Sequence, residues 1–264
     1  INDLTIQATS TTTTLAHSLQ SSSSSIISQQ PLVIVEIKLG LVDLNQLKIA
    51  VGLADSIDDT FLSFPSTAVL DIEGKNNLSG KLGHLNRKVE NIKYIGVLSR
   101  FKKQETALKY DLLVLLSGPE PQRSLLEMKL LSELKNYQGN ILFVRGVLTE
   151  KIEINTPKNF KIINYLLSNE LEIVINGSKL IISRSGYSTI MDLAVLGKKA
   201  FFIPTPGQFE QEYLAERFQE MGIAPFAKQQ NFKLENLYEI TKYSGFNSTK
   251  TEIDLSLFKL FQSK

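Results

Sequence analysis

Two polar clusters have the residue types and spacing for chemistry: Arg184-Ser185-Gly186-Tyr187-Ser188-Thr189-Ile190-Met191-Asp192, and Pro204-Thr205-Pro206-Gly207-Gln208-Phe209-Glu210-Gln211-Glu212. In the first, Gly186 permits a tight turn and Ser188 or Thr189 can cap a helix. Asp192 then falls one turn inside, on the side away from Ile190 and Leu193. A carboxylate placed there can accept both hydroxyls of a ribose. An acidic group near a helix start also interacts favourably with the dipole when no ligand is involved. In the second cluster, Pro204 and Pro206 stiffen a turn that Gly207 opens, and Gln208 and Gln211 crowd a helix entrance. Amides both donate and accept, which suits sugar hydroxyls. Helix-start acidity would explain Glu210 and Glu212 but not the amides. A third stretch, Ser117-Gly118-Pro119-Glu120-Pro121-Gln122-Arg123, follows an apolar run and opens a helix. Gly118 lets backbone approach a ligand closely, while Arg123 either neutralises phosphate or caps a surface. There is no GxGxxG, so a dinucleotide fingerprint is not supported.

The elements that must carry these clusters follow from periodicity. Apolar runs occur at 93–97, 111–116, 140–144, 172–175 with 180–183, and 199–203. Helical spacing appears between most of them: Leu126, Leu130 and Leu134 within 123–135; Ile190, Leu193 and Ala194 within 188–196; Leu214, Phe218 and Met221 within 208–221. Gly197 and Gly222 supply left-handed stops. Strands alternating with helices imply parallel pairing, with a domain over 98–250. The helix entrances then gather at the carboxyl ends of the strands, where N–H groups and the dipole favour an anion. Upstream, 31–35 and 67–72 read as strands, 44–56 as a helix, and Glu73 to Gly83 as a polar loop. Ile253 to Phe261 reads as a terminal helix within 251–264.

With 264 residues, 42% apolar and 21% charged, the composition is that of a globular protein; a net charge of +2 argues neither for nor against nucleic acid, and no nucleic-acid partner is expected. No apolar run is long enough to span a bilayer. The absence of cysteine excludes disulfides and thiolate metal sites and fits a cytoplasmic setting. The two histidines, His17 and His84, lie far apart, which excludes a histidine-rich metal cluster, and His84 reads as a polar loop group. Residues 1–30 are a Ser/Thr-rich segment of the kind that stays unpacked. They lack a positive leader, and the first residue, Ile1, leaves open that the chain is a fragment. Arg100, Lys102 and Lys103 read first as a solvated linker face and second as a holder of phosphate or of an anionic membrane surface.

Together these motifs resemble the carboxyl-terminal half of the GT-B glycosyltransferases, in the branch that includes the bacterial N-acetylglucosaminyl transferase of peptidoglycan lipid intermediates. The resemblance covers about 95–225. It implies an α/β, Rossmann-like parallel-sheet donor domain and transfer of an N-acetylglucosamine-like hexose from a UDP-sugar. It implies that Asp192 holds the ribose and that Ser185, Gly186, Ser188 and Thr189 line the diphosphate. Gln208 and Gln211 fall where the donor sugar's hydroxyls are contacted, and Ser117 and Gly118 where a loop closes over the nucleotide. Helix-end N–H groups, with Arg123 or Arg184, would stabilise the departing diphosphate. No metal is required, and the sequence has no Asp-x-Asp pair to hold one.

The amino-terminal region departs from that pattern. Residues 31–97 read as a partial, shortened acceptor-type α/β region without the Gly-rich, His-bearing turn of the family, and no general base is assigned. The implied partners are a nucleotide-sugar, an acceptor glycan or lipid-linked sugar, a partner chain supplying the missing half, and a membrane surface met peripherally. Two other readings stay open: a nucleotide-sugar epimerase of the same fold, and a non-catalytic UDP-sugar-binding module.

Overall fold

The computed structural model describes residues 33–34, 50–51, 67–84, 92–148 and 156–249; the Ser/Thr-rich segment and the expected terminal helix lie outside these. The chain divides into two units, one formed by 1–96 with 252–264 and the other by 97–251.

In the first unit, β1 (Val33–Ile34) pairs antiparallel with β2 (Ala50–Val51). The helix expected over 44–56 is therefore corrected at Ala50 and Val51, where Val51 pairs across the strands with Val33. A β-branched residue favours that pleated setting over a helix. Strand β3 (Thr67–Val69) runs parallel to β4 (Ile92–Tyr94). The polar loop after β3 is organised by Asp71. Its fully buried carboxylate accepts the N–H groups of Ile72, Leu78 and Ser79 and the Ser79 hydroxyl. His84 stacks on Tyr94 with ring centroids 4.3 Å apart, and its Nε2 lies 3.1 Å from the Ile72 carbonyl. It is a packed loop residue.

The second unit is built on a parallel five-stranded sheet in the order β7-β6-β5-β8-β9. The strands are β5 (Tyr110–Leu115), β6 (Ile141–Val144), β7 (Phe160–Ile163), β8 (Ser178–Ser183) and β9 (Lys199–Phe202). The helices are α1 (Gln122–Glu133), α2 (Ser168–Asn176), α3 (Tyr187–Leu196) and α4 (Phe209–Glu220). The sheet is apolar on both faces, as a parallel sheet covered on both sides requires. Phe201 and Phe202 show this directly: Phe201 meets Phe232 at 5.5 Å, while Phe202 meets Phe218 of α4 at 6.2 Å. Leu126, Leu130 and Leu134 share the core with Phe201, Val114 and Ile182. Gly197 closes α3 with φ 64°, a left-handed stop as its position suggests.

Two assignments change. The apolar run 172–175 lies inside α2, and the strand begins only after Gly177, at Ser178. Strand β7 was not anticipated, because its four residues include an exposed lysine and show little pattern. No helix among the described residues is long and apolar enough to cross a membrane.

Candidate functional site

Strand order dictates where a ligand should bind. From β5 the chain moves outward through β6 to β7, then returns to the other side of β5 as β8 and continues to β9. The order reverses between β5 and β8. In parallel sheets the crevice beyond the carboxyl ends at that reversal is the preferred binding place. The loops that emerge there are Ser117–Pro121, Arg184–Gly186 and Ile203–Gln208. Register sets them side by side, with Leu115 opposite Ser183 and Ser183 opposite Phe202.

The loops after β8 and β9 are tied together. The fully buried Ser185 hydroxyl donates to the Gln211 carbonyl at 2.7 Å. The Gln211 side-chain oxygen accepts the Thr205 N–H at 2.9 Å, and its amide nitrogen donates to the Gln208 side-chain oxygen. Gly207 N–H reaches a Glu212 carboxylate oxygen at 3.1 Å. Across the gap, the Tyr187 N–H at the start of α3 donates to the Glu210 carboxylate, which burial pushes above the usual glutamate range. The mouths of α3 and α4 therefore meet. The α3 cap is Gly186 itself, in extended conformation with no side-chain cap. Ser188 and Thr189 lie within the first turn, which corrects the capping expectation for both.

Both arginines of the expected set are buried in networks that hold the loops. Arg184 is 2% exposed; its guanidinium donates to the carbonyls of Ile203, Pro204 and Gln122 and to the Gln229 side-chain oxygen, at 2.7–3.1 Å. Burial lowers its pKa to about 10, so it stays charged at neutral pH. Arg123 pairs with Glu127 and Glu120, each at 2.6 Å, and also reaches the Arg145 carbonyl. Arg145 in turn meets Glu127 at 2.5 Å. The i,i+4 spacing of Arg123 and Glu127 would have revealed half of this network. Nothing local in the sequence marks Arg145 or Gln229.

The Asp192 carboxylate is held from another direction. Its Oδ1 accepts the Ser99 hydroxyl at 2.5 Å. No hydrogen bond among the described residues joins it to Gln208 or Gln211. Burial raises its pKa to about 6, against the lowering effects of the Ser99 hydrogen bond and the Arg100 charge. Ser99 was missed because a linker serine carries no sequence signal of this contact; Arg100, read first as part of a solvated linker face, acts by its charge on the Asp192 carboxylate. Ser117 and Gly118 are exposed at the rim. Gly118 has φ 103°, and a Cβ built there would stand 4.0 Å from the Thr205 hydroxyl, which is buried without a hydrogen-bond partner.

This is a Rossmann-like domain, with the mouths of α3 and α4 following the carboxyl ends of β8 and β9 of a parallel sheet. The model for the glycosyltransferase family 28 C-terminal domain matches residues 122–253, half of the chain, and the chain belongs to that family. A segment of 148 residues is 27% identical to the UDP-N-acetylglucosamine--N-acetylmuramyl-(pentapeptide) pyrophosphoryl-undecaprenol N-acetylglucosamine transferase of Haemophilus ducreyi, covering 53% of this chain and 41% of that one. The enzyme of the same name from Methylobacterium radiotolerans is 39% identical over 62 residues, 23% of this chain and 17% of that one. The chain thus spans less than half the length of these relatives. Among solved structures, the calicheamicin glycosyltransferase CalG4 has a TM-score of 0.50 at 12% identity, over 69% of this chain and 45% of that one, a likeness of fold alone.

Proposed function

We propose that this chain provides the nucleotide-sugar half of a hexosyltransferase. It binds a UDP-sugar of the N-acetylglucosamine type at the mouths of α3 and α4 and presents it for transfer to an acceptor glycan or lipid-linked sugar. The observation that carries the reading is the family match over 122–253, which spans both helix mouths at the reversal of strand order. Asp192 accepts the ribose hydroxyls, Gln208 and Gln211 the sugar hydroxyls, and the rim formed by Ser117 and Gly118 closes over the nucleotide. The N–H groups around Gly186, Ser188 and Thr189 face the diphosphate and stabilise it as it leaves, with no metal in the scheme. Arg123, Arg184 and the Ser185 hydroxyl act by holding the loops. A partner chain and a membrane surface supply the acceptor side, in a cytoplasmic setting.

The test is calorimetric titration with UDP and UDP-sugars, paired with an assay for sugar transfer. Asp192→Ala should weaken UDP binding by roughly tenfold or more, the scale of losing hydrogen bonds to a charged acceptor. A variant that binds as tightly as wild type removes Asp192 from the site. Transfer to an acceptor, rather than epimerised nucleotide-sugar or binding without turnover, separates the three readings.

A pH dependence follows. Only the ionised carboxylate accepts from both ribose hydroxyls, so UDP affinity should fall as pH drops through about 6. Stability moves the other way. The folded-state pKa is raised, so the contribution of Asp192 is fully present below its unfolded value and lost as pH rises through about 6. Asp192→Asn should therefore be more stable than wild type at pH 8 while binding UDP less well. Equal losses in both would make Asp192 a structural residue.

A further inference from the structure

We propose that Ser99 is a positioning residue for the nucleotide's ribose: its hydroxyl orients the Asp192 carboxylate so that the sugar's two hydroxyls find both oxygens. This rests on the donor-binding reading above. Ser99 precedes β5, far from α3 in sequence, yet its Oγ lies 2.5 Å from Asp192 Oδ1. That hydroxyl is itself oriented, because it accepts the N–H of Phe101 at 3.0 Å. Phe101 is 2% exposed and anchored in the unit's interior, with the Arg100 guanidinium 4.8 Å from its ring centroid. With one lone pair of Ser99 engaged by Phe101, its proton is directed at Asp192.

The consequence is geometric. A carboxylate that receives two vicinal hydroxyls must turn both of its oxygens toward them. Ser99 occupies a single lone pair on Oδ1, leaving the other lone pair of Oδ1 and the whole of Oδ2 for a ligand. Without Ser99 the carboxylate has no hydrogen-bond partner among the described residues and would adopt several rotamers. The electrostatics agree. The Ser99 hydrogen bond and the Arg100 charge favour the ionised form against burial, and among the described residues Arg100 is the charged group that acts on Asp192.

The test titrates the full chain with UDP and 2′-deoxy-UDP, using wild type, Ser99→Ala, Ser99→Thr and Asp192→Asn. Ser99→Ala should weaken UDP by about tenfold, the scale of one charge-assisted hydrogen bond, and leave 2′-deoxy-UDP much less changed. Ser99→Thr, which keeps the hydroxyl, should restore the preference. A second measurement needs no ligand: carboxyl carbon NMR of Asp192 should show its titration moving above about 6 in Ser99→Ala and returning in Ser99→Thr. Equal weakening of both nucleotides by Ser99→Ala, an unchanged preference, or an unmoved Asp192 titration would each overturn the proposal. A preference that collapses in Asp192→Asn but not in Ser99→Ala overturns the role of Ser99 alone. Wild type that binds the two nucleotides equally overturns the ribose reading, and the role of Ser99 with it.

Discussion

Glu127→Ala should lower stability by about 3–5 kcal/mol, the cost of leaving buried charge uncompensated. Glu127 is 6% exposed and stands between two buried guanidiniums, with Arg123 at 2.6 Å and Arg145 at 2.5 Å. Removing it strands two cations in the interior beside one another. Arg123 would keep Glu120, whose side chain is largely exposed and screened by water. Among the described residues, Arg145 would keep only the neutral Asn164 oxygen at 3.2 Å. Replacing all three members by apolar residues of similar volume should recover most of the loss, because the desolvation cost leaves with the charges. Urea unfolding of the single and triple variants decides it. A loss below about 1 kcal/mol for Glu127→Ala would mean water reaches the network, as it does for surface pairs.

The second large effect is Arg184→Met. Methionine keeps an apolar stem but leaves the carbonyls of Ile203, Pro204 and Gln122 and the Gln229 amide oxygen without their donor. Orphaned buried acceptors cost about 1 kcal/mol or more each, so a total near 3–4 kcal/mol is expected. For a domain of this size that is a fall in melting temperature of roughly 6–16 °C. Arg184→Lys should rescue little, because one ammonium cannot serve two groups of acceptors that a planar guanidinium reaches together. The same variants should weaken UDP binding, since Arg184 fixes the entrance to the loop after β9. Wild-type stability in Arg184→Lys would reduce the guanidinium to a generic cation.

Helices α1, α3 and α4 could be read from sequence because their apolar residues recur at helical spacing and glycine ends two of them. Strands β5, β6, β8 and β9 were visible as short apolar runs. Ile173, Val174 and Ile175 misled for a physical reason. They are β-branched residues, yet they lie in a helix whose start is closed by Glu170 reaching the Leu167 N–H and which ends at Gly177. Capping at both ends, with Ile175 buried and Ile173 exposed, overrode the strand preference of these residues there. The site's polar groups were legible as a set but not as individuals. Sequence cannot show that Arg184 is walled in by the carbonyls of Ile203, Pro204 and Gln122 and the Gln229 side chain, or that Asp192 turns to a serine in the linker. Such facts depend on which strands become neighbours, and the order of strands is not written in any local window.

The knot of Ser185, Gln211, Thr205 and Gln208 ties the loops after β8 and β9 to each other. Under the proposed function, a nucleotide-sugar arriving at the α3 and α4 entrances would meet loops whose conformational freedom was surrendered during folding. Little entropy remains to be lost on capture. Recognition by this surface would then be closer to lock-and-key than to a fold-on-contact process.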